Sequence, residues 1–165
     1  MTKPQTTPQI ADQNKGIKTS RLKCAGHTTR MSRRVYFSSA HRYYQVAWSL
    51  EKNREEFGKC FSEFGHGHNY ILEAYFSGEI ETQSGLIVNL IDVDMLLKRV
   101  TIELDHQHLN FNHPHFKDLV PTTENIAAYL FNQILCETPK LMVPNLQLYK
   151  IKLFEDEDLW VEIAL

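Results

Sequence analysis

Three histidines in the first half of the chain have the type and spacing that fit metal chemistry. His66 and His68 stand two positions apart, and His41 precedes them. Because alternate residues of a β-strand point to the same side, both imidazoles can reach one metal ion if this segment is a strand. A third imidazole from a neighbouring strand leaves one coordination position for substrate or water, which is the pattern of catalytic zinc. One interpretation of His41, His66 and His68 is therefore a catalytic zinc site.

Two other interpretations of this cluster stay open. A His-x-His pair arises by chance in a chain with eight histidines, and each ring can simply be packed. Alternatively, Cys60 is a fourth ligand and the site is closed and structural. Cys60 follows Lys59, whose charge favours the reactive thiolate, although a buried and inert thiol is the other reading of a lone cysteine.

Two carboxylates further along the chain are the next candidates. Asp105 and His106 close an expected helix, and they form either a proton relay or an ordinary surface pair. Glu155 continues an apolar strand face, so it either binds a ligand rich in N–H groups or begins the acidic turn that follows. The histidines of the loop-like segment between them are expected to be solvated and to have no role: His108, His113 and His115.

The elements that position these residues follow from the spacing of apolar residues. Period-two alternation and turn residues predict strands over 33–41, 66–76, 86–89, 148–155 and 159–163. Three- and four-residue spacing predicts one helix over 93–104, and a second begins with a threonine cap at 121–124 and ends near Pro139. This order indicates the α+β class, with an antiparallel sheet backed by two helices.

Composition separates an N-terminal segment from the rest of the chain. The 165 residues are 42% hydrophobic and 23% charged, which suits one globular domain with its own core. Residues 1–31 contain one acid, Asp12, and lack periodicity, so they predict a disordered basic tail before a domain over 32–165. A transit peptide, or a true start at Met31, is the alternative for this segment.

Charge and apolar runs argue against several classes of function. Without its basic tail the chain is acidic, and phosphate binding needs clustered Lys and Arg, so no nucleic-acid partner is expected. The apolar runs are too short for a membrane helix, and no secretory signal is visible, so no membrane partner is expected. Three scattered cysteines, Cys24, Cys60 and Cys136, favour a reducing, cytoplasmic location.

Six short motifs carry a family resemblance across residues 33–163. In chain order they are Phe37-Ser38-Ser39-Ala40-His41-Arg42, Phe57-Gly58-Lys59-Cys60, Gly65-His66-Gly67-His68-Asn69-Tyr70, Leu104-Asp105-His106, Thr122-Thr123-Glu124-Asn125 and Phe154-Glu155. Together they resemble the 6-pyruvoyl-tetrahydropterin synthases and their relatives, the 6-carboxy-tetrahydropterin synthases of queuosine biosynthesis.

The resemblance implies an architecture and an assembly. It implies the tunnelling fold, a four-stranded antiparallel sheet with two helices on one face. Three subunits would close a barrel, and two trimers would stack into a homohexamer. The active site would lie at subunit contacts.

The resemblance also implies a substrate and a role for each candidate residue. The substrate would be 7,8-dihydroneopterin triphosphate, and the cofactor would be Zn²⁺. The implied roles are zinc binding by His41, His66 and His68, general base for Cys60, proton relay for Asp105 and His106, and pterin binding by Glu155, Thr122, Thr123 and Glu124.

The product stays open between three types of enzyme. Five residues separate Cys60 from His66, a spacing similar to the type that eliminates triphosphate to form 6-pyruvoyl-tetrahydropterin. The alternative releases acetaldehyde as well and forms the 6-carboxy product. Glu63 resembles the catalytic acid of a third type, which forms a 6-hydroxymethyl product, or is a solvated loop acid. A non-catalytic zinc protein and a pterin- or purine-binding relative are the remaining hypotheses.

Overall fold

The computed structural model describes residues 28–165, which form one sheet packed against helices. The strands are β1 (Thr29–His41), β2 (His66–Gly78), β3 (Gln107–His108), β4 (Gln147–Phe154) and β5 (Trp160–Ala164). The α-helices are α1 (Leu50–Phe57), α2 (Leu90–Thr101), α3 (Leu109–Asn112) and α4 (Thr123–Glu137). The predicted α+β class and antiparallel sheet are confirmed.

The sheet has the strand order β3-β1-β2-β4-β5. Its four long strands are antiparallel neighbours, and the two-residue β3 pairs in parallel with the end of β1. β1 and β2 pair over their whole length, from Thr29 opposite Gly78 to His41 opposite His66. This register brings the last residue of β1 beside the first residue of β2.

The core lies between the sheet and the two long helices. One face of β2, with Tyr70, Leu72, Ala74 and Phe76, is fully buried, as the period-two pattern predicted. The helices contribute the apolar stripes that the three- and four-residue spacing predicted: Val93, Leu96, Leu97 and Val100 from α2, and Ile126, Leu130 and Ile134 from α4.

Side-chain caps fix where the long helices begin. The Asn89 side chain accepts a hydrogen bond from the Ile91 N–H at the start of α2, and the Thr122 hydroxyl accepts from the Asn125 N–H at the start of α4. The cap at Thr122 agrees with the predicted start of the second helix. α2 ends at Thr101 rather than at residue 104, and Leu104 is buried from the turn that follows the helix.

Three further parts of the sequence-based assignment differ from the structure. The strand predicted over 86–89 is wrong: this segment is a turn whose last residue, Asn89, caps α2. α1 was not predicted because its residues are mostly polar and carry no apolar stripe. β1 begins at Thr29, so residues 29–31 pair with β2 although the sequence placed them in the tail. The rest of the predicted tail lies outside the described residues.

No helix between residues 28 and 165 combines the length and apolar character needed to cross a bilayer.

Candidate active site

The three predicted metal ligands meet at one end of the sheet. His41 is the last residue of β1, and His66 and His68 begin β2 beside it. The ring centroids are 4.7 Å apart for His41 and His66, 5.1 Å for His41 and His68, and 4.9 Å for His66 and His68. The antiparallel register therefore assembles the cluster without any contribution from loops.

The His41 ring is held in one orientation. It is fully buried, and its Nδ1 lies 2.8 Å from the Pro121 carbonyl oxygen and 3.2 Å from the Tyr70 hydroxyl. Because a carbonyl only accepts, Nδ1 carries the proton and Nε2 presents its lone pair to the cluster. Burial lowers the pKa of His41 to about 3, so the ring stays neutral, the form that binds metal.

The donor atoms fit a metal ion. Nε2 of His41 and Nε2 of His66 are 3.2 Å apart, close to the roughly 3.3 Å that two zinc-bound nitrogens have in tetrahedral geometry. Nε2 of His68 is buried and makes no hydrogen bond within the described chain, although Oε1 of Glu155 lies 3.3 Å from it. Ligand atoms from the three histidines and Glu155 all lie within 4.8 Å of one another. This cluster could therefore hold a metal ion.

Glu155 lies directly after β4 and is 7% exposed. Its Oε1 is 3.3 Å from Nε2 of His68, and its Oε2 accepts a hydrogen bond from the Thr123 hydroxyl. Thr123 is the first residue of α4 and is itself buried. Glu155 is therefore a buried carboxylate in the site rather than the first residue of a solvated turn.

The other two predicted pterin-binding residues lie near Thr123 but have different surroundings. The Thr122 hydroxyl is occupied as the cap of α4. Glu124 is exposed in the first turn of α4. The structure therefore brings Thr123 directly to Glu155, whereas Thr122 and Glu124 stand at the rim of the site.

Cys60 lies in a half-buried 3-10 turn formed by Gly58–Phe61. Its carbonyl oxygen accepts a hydrogen bond from the Tyr43 N–H at 2.9 Å. Burial, together with the charge of Glu155, raises the pKa of the Cys60 thiol. Lys59 is not among the causes of this shift, so the expectation that it favours the thiolate stays a prediction. Over residues 28–165 the candidate metal-binding group includes Glu155 and not Cys60, which does not match the closed site with a cysteine ligand.

Asp105 and His106 lie at the edge of the sheet. Oδ1 of Asp105 accepts from the Ser38 N–H at 2.9 Å and lies 2.9 Å from Nδ1 of His106. The Ser38 N–H and the His106 ring lower the pKa of the Asp105 carboxyl. The His106 side chain is 81% exposed. In the described part of the chain, no hydrogen bond or ion pair links this pair to Cys60 or to the histidine cluster.

The three histidines between residues 108 and 115 have three different environments. His113 is 5% exposed and packs against the Phe116 and Tyr129 rings, so the expectation that it is solvated is wrong. Nε2 of the half-buried His108 is 3.3 Å from the Phe64 carbonyl oxygen, whereas His115 is exposed as expected. Neither periodicity nor a motif predicted that His113 is buried, because its contacts come from a helix that is distant in the sequence.

Two tyrosines of the site were not predicted as functional residues. Tyr70 shares the buried face of β2 with His66 and His68, so the period-two pattern could have identified it. The Tyr43 ring packs edge-to-face on the His41 ring, at 5.1 Å between centroids. β1 ends before Tyr43, so strand periodicity could not place it.

Comparison with known proteins shows which protein family this chain resembles. The profile described as 6-pyruvoyl tetrahydropterin synthase matches residues 30–164. A curated relative from Pongo abelii, named 6-pyruvoyl tetrahydrobiopterin synthase, is 38% identical over 129 residues, which are 78% of this chain and 86% of the relative. A relative from Archaeoglobus fulgidus, provisionally named a 6-carboxy-5,6,7,8-tetrahydropterin synthase, is 29% identical over 98 residues, covering 59% of this chain and 76% of the relative.

A solved structure supports the same assignment. The 6-pyruvoyl tetrahydropterin synthase of Caenorhabditis elegans superimposes with a TM-score of 0.77 at 31% identity, over 84% of this chain and 96% of that one. The fold is the tunnelling fold, with β3 as a short addition to the four long strands that the resemblance implied. The chain is therefore an enzyme of the lyase type and belongs to the 6-pyruvoyl tetrahydropterin synthase family.

Proposed function

We propose that this chain is a zinc-dependent lyase that eliminates triphosphate from 7,8-dihydroneopterin triphosphate to give 6-pyruvoyl-tetrahydropterin. The observation that carries the proposal is the convergence of three imidazole nitrogens and the Glu155 carboxylate at one end of the sheet. The name shared by relatives such as the Pongo abelii protein supports this product.

Zinc is the proposed metal, held by His41, His66 and His68. When bound, it would polarise the side-chain oxygens of the pterin and stabilise developing negative charge on them. Zinc binding needs neutral imidazoles in a fixed orientation. His41 meets this need because the Pro121 carbonyl oxygen accepts a hydrogen bond from its Nδ1–H.

Glu155 is the proposed anchor of the pterin ring. A carboxylate accepts hydrogen bonds from the N–H groups of a pterin, and Glu155 is buried beside the three histidines. The Thr123 hydroxyl donates to Oε2, and the ligand would donate to Oε1, which lies 3.3 Å from Nε2 of His68. Thr122 and Glu124 would line the rim of the same pocket, on the first turn of α4.

Cys60 is the proposed general base, with Asp105 and His106 as its proton-relay partners. The raised pKa of the thiol means that a nearby positive charge must stabilise the thiolate before it can remove a proton from the substrate side chain. The Asp105–His106 pair can supply that charge as an imidazolium. Within one chain the pair does not contact Cys60, so we propose that it acts on the Cys60 of a neighbouring subunit.

The sheet edges support a homo-oligomer in which subunits share the site. Over the described residues, the outer edge of β1 from Thr29 to Ser38 and the outer edge of β5 have no strand partner. Open edges of this length pair readily with another chain. We propose a trimer closed through these edges into a barrel, or a hexamer of two such trimers.

The second candidate is a 6-carboxy-5,6,7,8-tetrahydropterin synthase of queuosine biosynthesis, which releases acetaldehyde and triphosphate. The Archaeoglobus fulgidus relative favours it, with lower identity than the pyruvoyl-type relatives. The hydroxymethyl product has less support, because the Glu63 side chain is exposed and, among the described residues, Glu63 is bonded only through its backbone carbonyl, which accepts from the Arg42 guanidinium.

Mass spectrometry of the product separates these proposals. Zinc-loaded protein is incubated with 7,8-dihydroneopterin triphosphate, and Cys60→Ala is the control. A 6-pyruvoyl mass that depends on Cys60 supports the main proposal. A 6-carboxy mass together with acetaldehyde favours the second candidate. No turnover by zinc-loaded protein contradicts both and favours a non-catalytic pterin- or zinc-binding protein.

A further inference from the structure

Asn53 is a fully buried polar residue in the middle of α1. Its carboxamide bonds to the backbone of residues 42–49, the connecting segment, which joins β1 to α1. Oδ1 accepts from the Gln45 N–H at 2.7 Å, and Nδ2 donates to the carbonyl oxygens of Gln45 and Ser49, both at 3.0 Å. Because the carboxamide uses its acceptor and both of its donor hydrogens in this way, it ties the connecting segment to α1.

Two aromatic pairs pack the connecting segment against the chain around Cys60. The Trp48 ring stacks on the Phe57 ring at 5.6 Å between centroids, and the Tyr44 ring stacks on the Phe61 ring at 6.0 Å. Phe57 precedes Cys60 by three residues, and Phe61 follows it directly. The connecting segment therefore contacts the chain on both sides of Cys60.

Cys60 is also bonded to the connecting segment through its backbone. Its carbonyl oxygen accepts from the Tyr43 N–H at 2.9 Å. α1 ends at Phe57 and the 3-10 turn begins at Gly58, so the helix leads directly into the turn. The Asn53 carboxamide and the Tyr43 N–H thus join the connecting segment to α1 and to the turn, and the place of Cys60 depends on both.

We propose that Asn53 is a positioning residue for Cys60. By holding the connecting segment against α1, its carboxamide keeps the Cys60 turn closed and fixes the place of the thiol. This inference rests on the proposed function, which makes Cys60 the general base. It adds to that function a residue whose side-chain hydrogen bonds, within residues 28–165, all go to the connecting segment.

Thr138→Val is a matched control for the loss of a buried hydrogen bond. Thr138 is 4% exposed, and its hydroxyl donates to the Ile134 carbonyl oxygen at 2.7 Å at the end of α4. Thr138→Val and Asn53→Ala both remove side-chain hydrogen bonds to the backbone, which lowers stability. Only Asn53→Ala releases the connecting segment.

The first test is the rate at which iodoacetamide alkylates Cys60 in the zinc-loaded full-length protein, resolved by peptide mass spectrometry. Asn53→Ala is expected to raise this rate about 10-fold, because the half-buried turn opens more often once the connecting segment is released. The exposed Cys136 is the internal reference and should react at the wild-type rate in every variant. Thr138→Val is expected to keep the wild-type rate at Cys60.

The second test separates positioning from substrate binding. With 7,8-dihydroneopterin triphosphate, Asn53→Ala is expected to lower kcat about 10-fold and to leave KM and zinc affinity unchanged. A displaced reacting group slows the chemical step, whereas the proposed metal and pterin groups stay intact. Asn53→Ser keeps a smaller hydrogen-bonding group, so it should give intermediate values, and it replaces Asn53→Ala if that variant does not fold.

The outcomes distinguish this inference from the proposed function. Wild-type alkylation and kcat in Asn53→Ala, or equal changes in Thr138→Val, would overturn the inference. Faster alkylation of Cys60 with a wild-type kcat would overturn it as well, because the turn would then move without an effect on catalysis. If the wild-type protein does not turn over the substrate, the proposed function fails, and the alkylation rates still decide whether Asn53 holds the Cys60 turn.

Discussion

The histidine end of the sheet and the Asp105–His106 edge are built in opposite ways. At the histidine end, paired strands place His41 and Glu155 in a buried group whose ligand atoms lie within 4.8 Å of one another. At the edge, Asp105 and His106 contact each other and Ser38, and His106 is largely exposed. One chain therefore brings together the residues proposed to bind metal and pterin, whereas within residues 28–165 the proposed proton-relay pair does not contact Cys60.

Activity should therefore depend on subunit contact, whereas metal binding should not. Cys60→Ala and Asp105→Asn are each expected to lower kcat by about 100-fold or more, since each removes a proton-transfer group. If the relay acts between subunits, mixed oligomers of the two variants contain some intact sites and regain turnover. The measurement is kcat after subunit exchange, with each variant alone as the control. Exchange without recovered turnover contradicts a shared site.

Zinc affinity should fall on substitution at the histidine end and stay unchanged on substitution at the Asp105–His106 edge. His68→Ala removes a proposed ligand and is expected to weaken zinc binding by at least about 100-fold, more than the loss of an outer partner costs. His106→Ala lies at the exposed edge and is expected to leave zinc affinity unchanged. Competition with a chelator measures both affinities. Equal weakening in the two variants would contradict the separation of the regions.

Replacing a glycine by alanine should destabilise the protein more at Gly65, beside the histidine end, than at Gly58. Gly65 has φ of +73°, and a Cβ there would overlap the His41 carbonyl oxygen. Gly58 has φ of +53° and open space around it. Gly65→Ala is expected to lower the free energy of unfolding by about 3 kcal/mol and Gly58→Ala by about 1 kcal/mol, since only the first adds overlap to backbone strain. Denaturant unfolding measures both values, and equal losses would mean that this close approach does not hold the strand ends.

His113 lies in the segment that joins the two regions, and it should have the smallest effect. Both of its ring nitrogens are buried without a hydrogen-bond partner in the described chain, so His113→Leu is expected to raise the free energy of unfolding by about 1 kcal/mol. Burial lowers the pKa of His113 below its ordinary value of 6.5. The unfolded chain therefore takes up a proton that the folded protein does not, and stability falls as pH drops below 6.5.

The matched control for His113 is the exposed neighbour His115. His115→Leu is expected to leave the free energy of unfolding at neutral pH close to that of the wild-type protein. Denaturant unfolding at several pH values measures both variants. A wild-type slope in His113→Leu would show that His113 is not the group that titrates.

Sequence periodicity predicted the histidine end well because its geometry is local. Two residues on one strand face need only period two, and the pairing of β1 with β2 supplies His41. The features that the sequence did not predict depend on contacts between residues far apart in the chain. β3 forms only because its two residues reach the end of β1, His113 is buried by Tyr129 of α4, and Tyr43 follows the end of a strand.

Zinc-edge X-ray absorption on the zinc-loaded protein tests most directly whether this end of the sheet is an open metal site beside a separate pterin anchor. Zinc held by His41, His66 and His68 should give imidazole nitrogens at about 2.0–2.1 Å with no sulfur neighbour. The same spectrum is expected in Glu155→Gln, a variant that should no longer bind neopterin, a fluorescent oxidised pterin. A sulfur shell at about 2.3 Å, or zinc lost from Glu155→Gln, would contradict this site by making Cys60 or Glu155 a metal ligand.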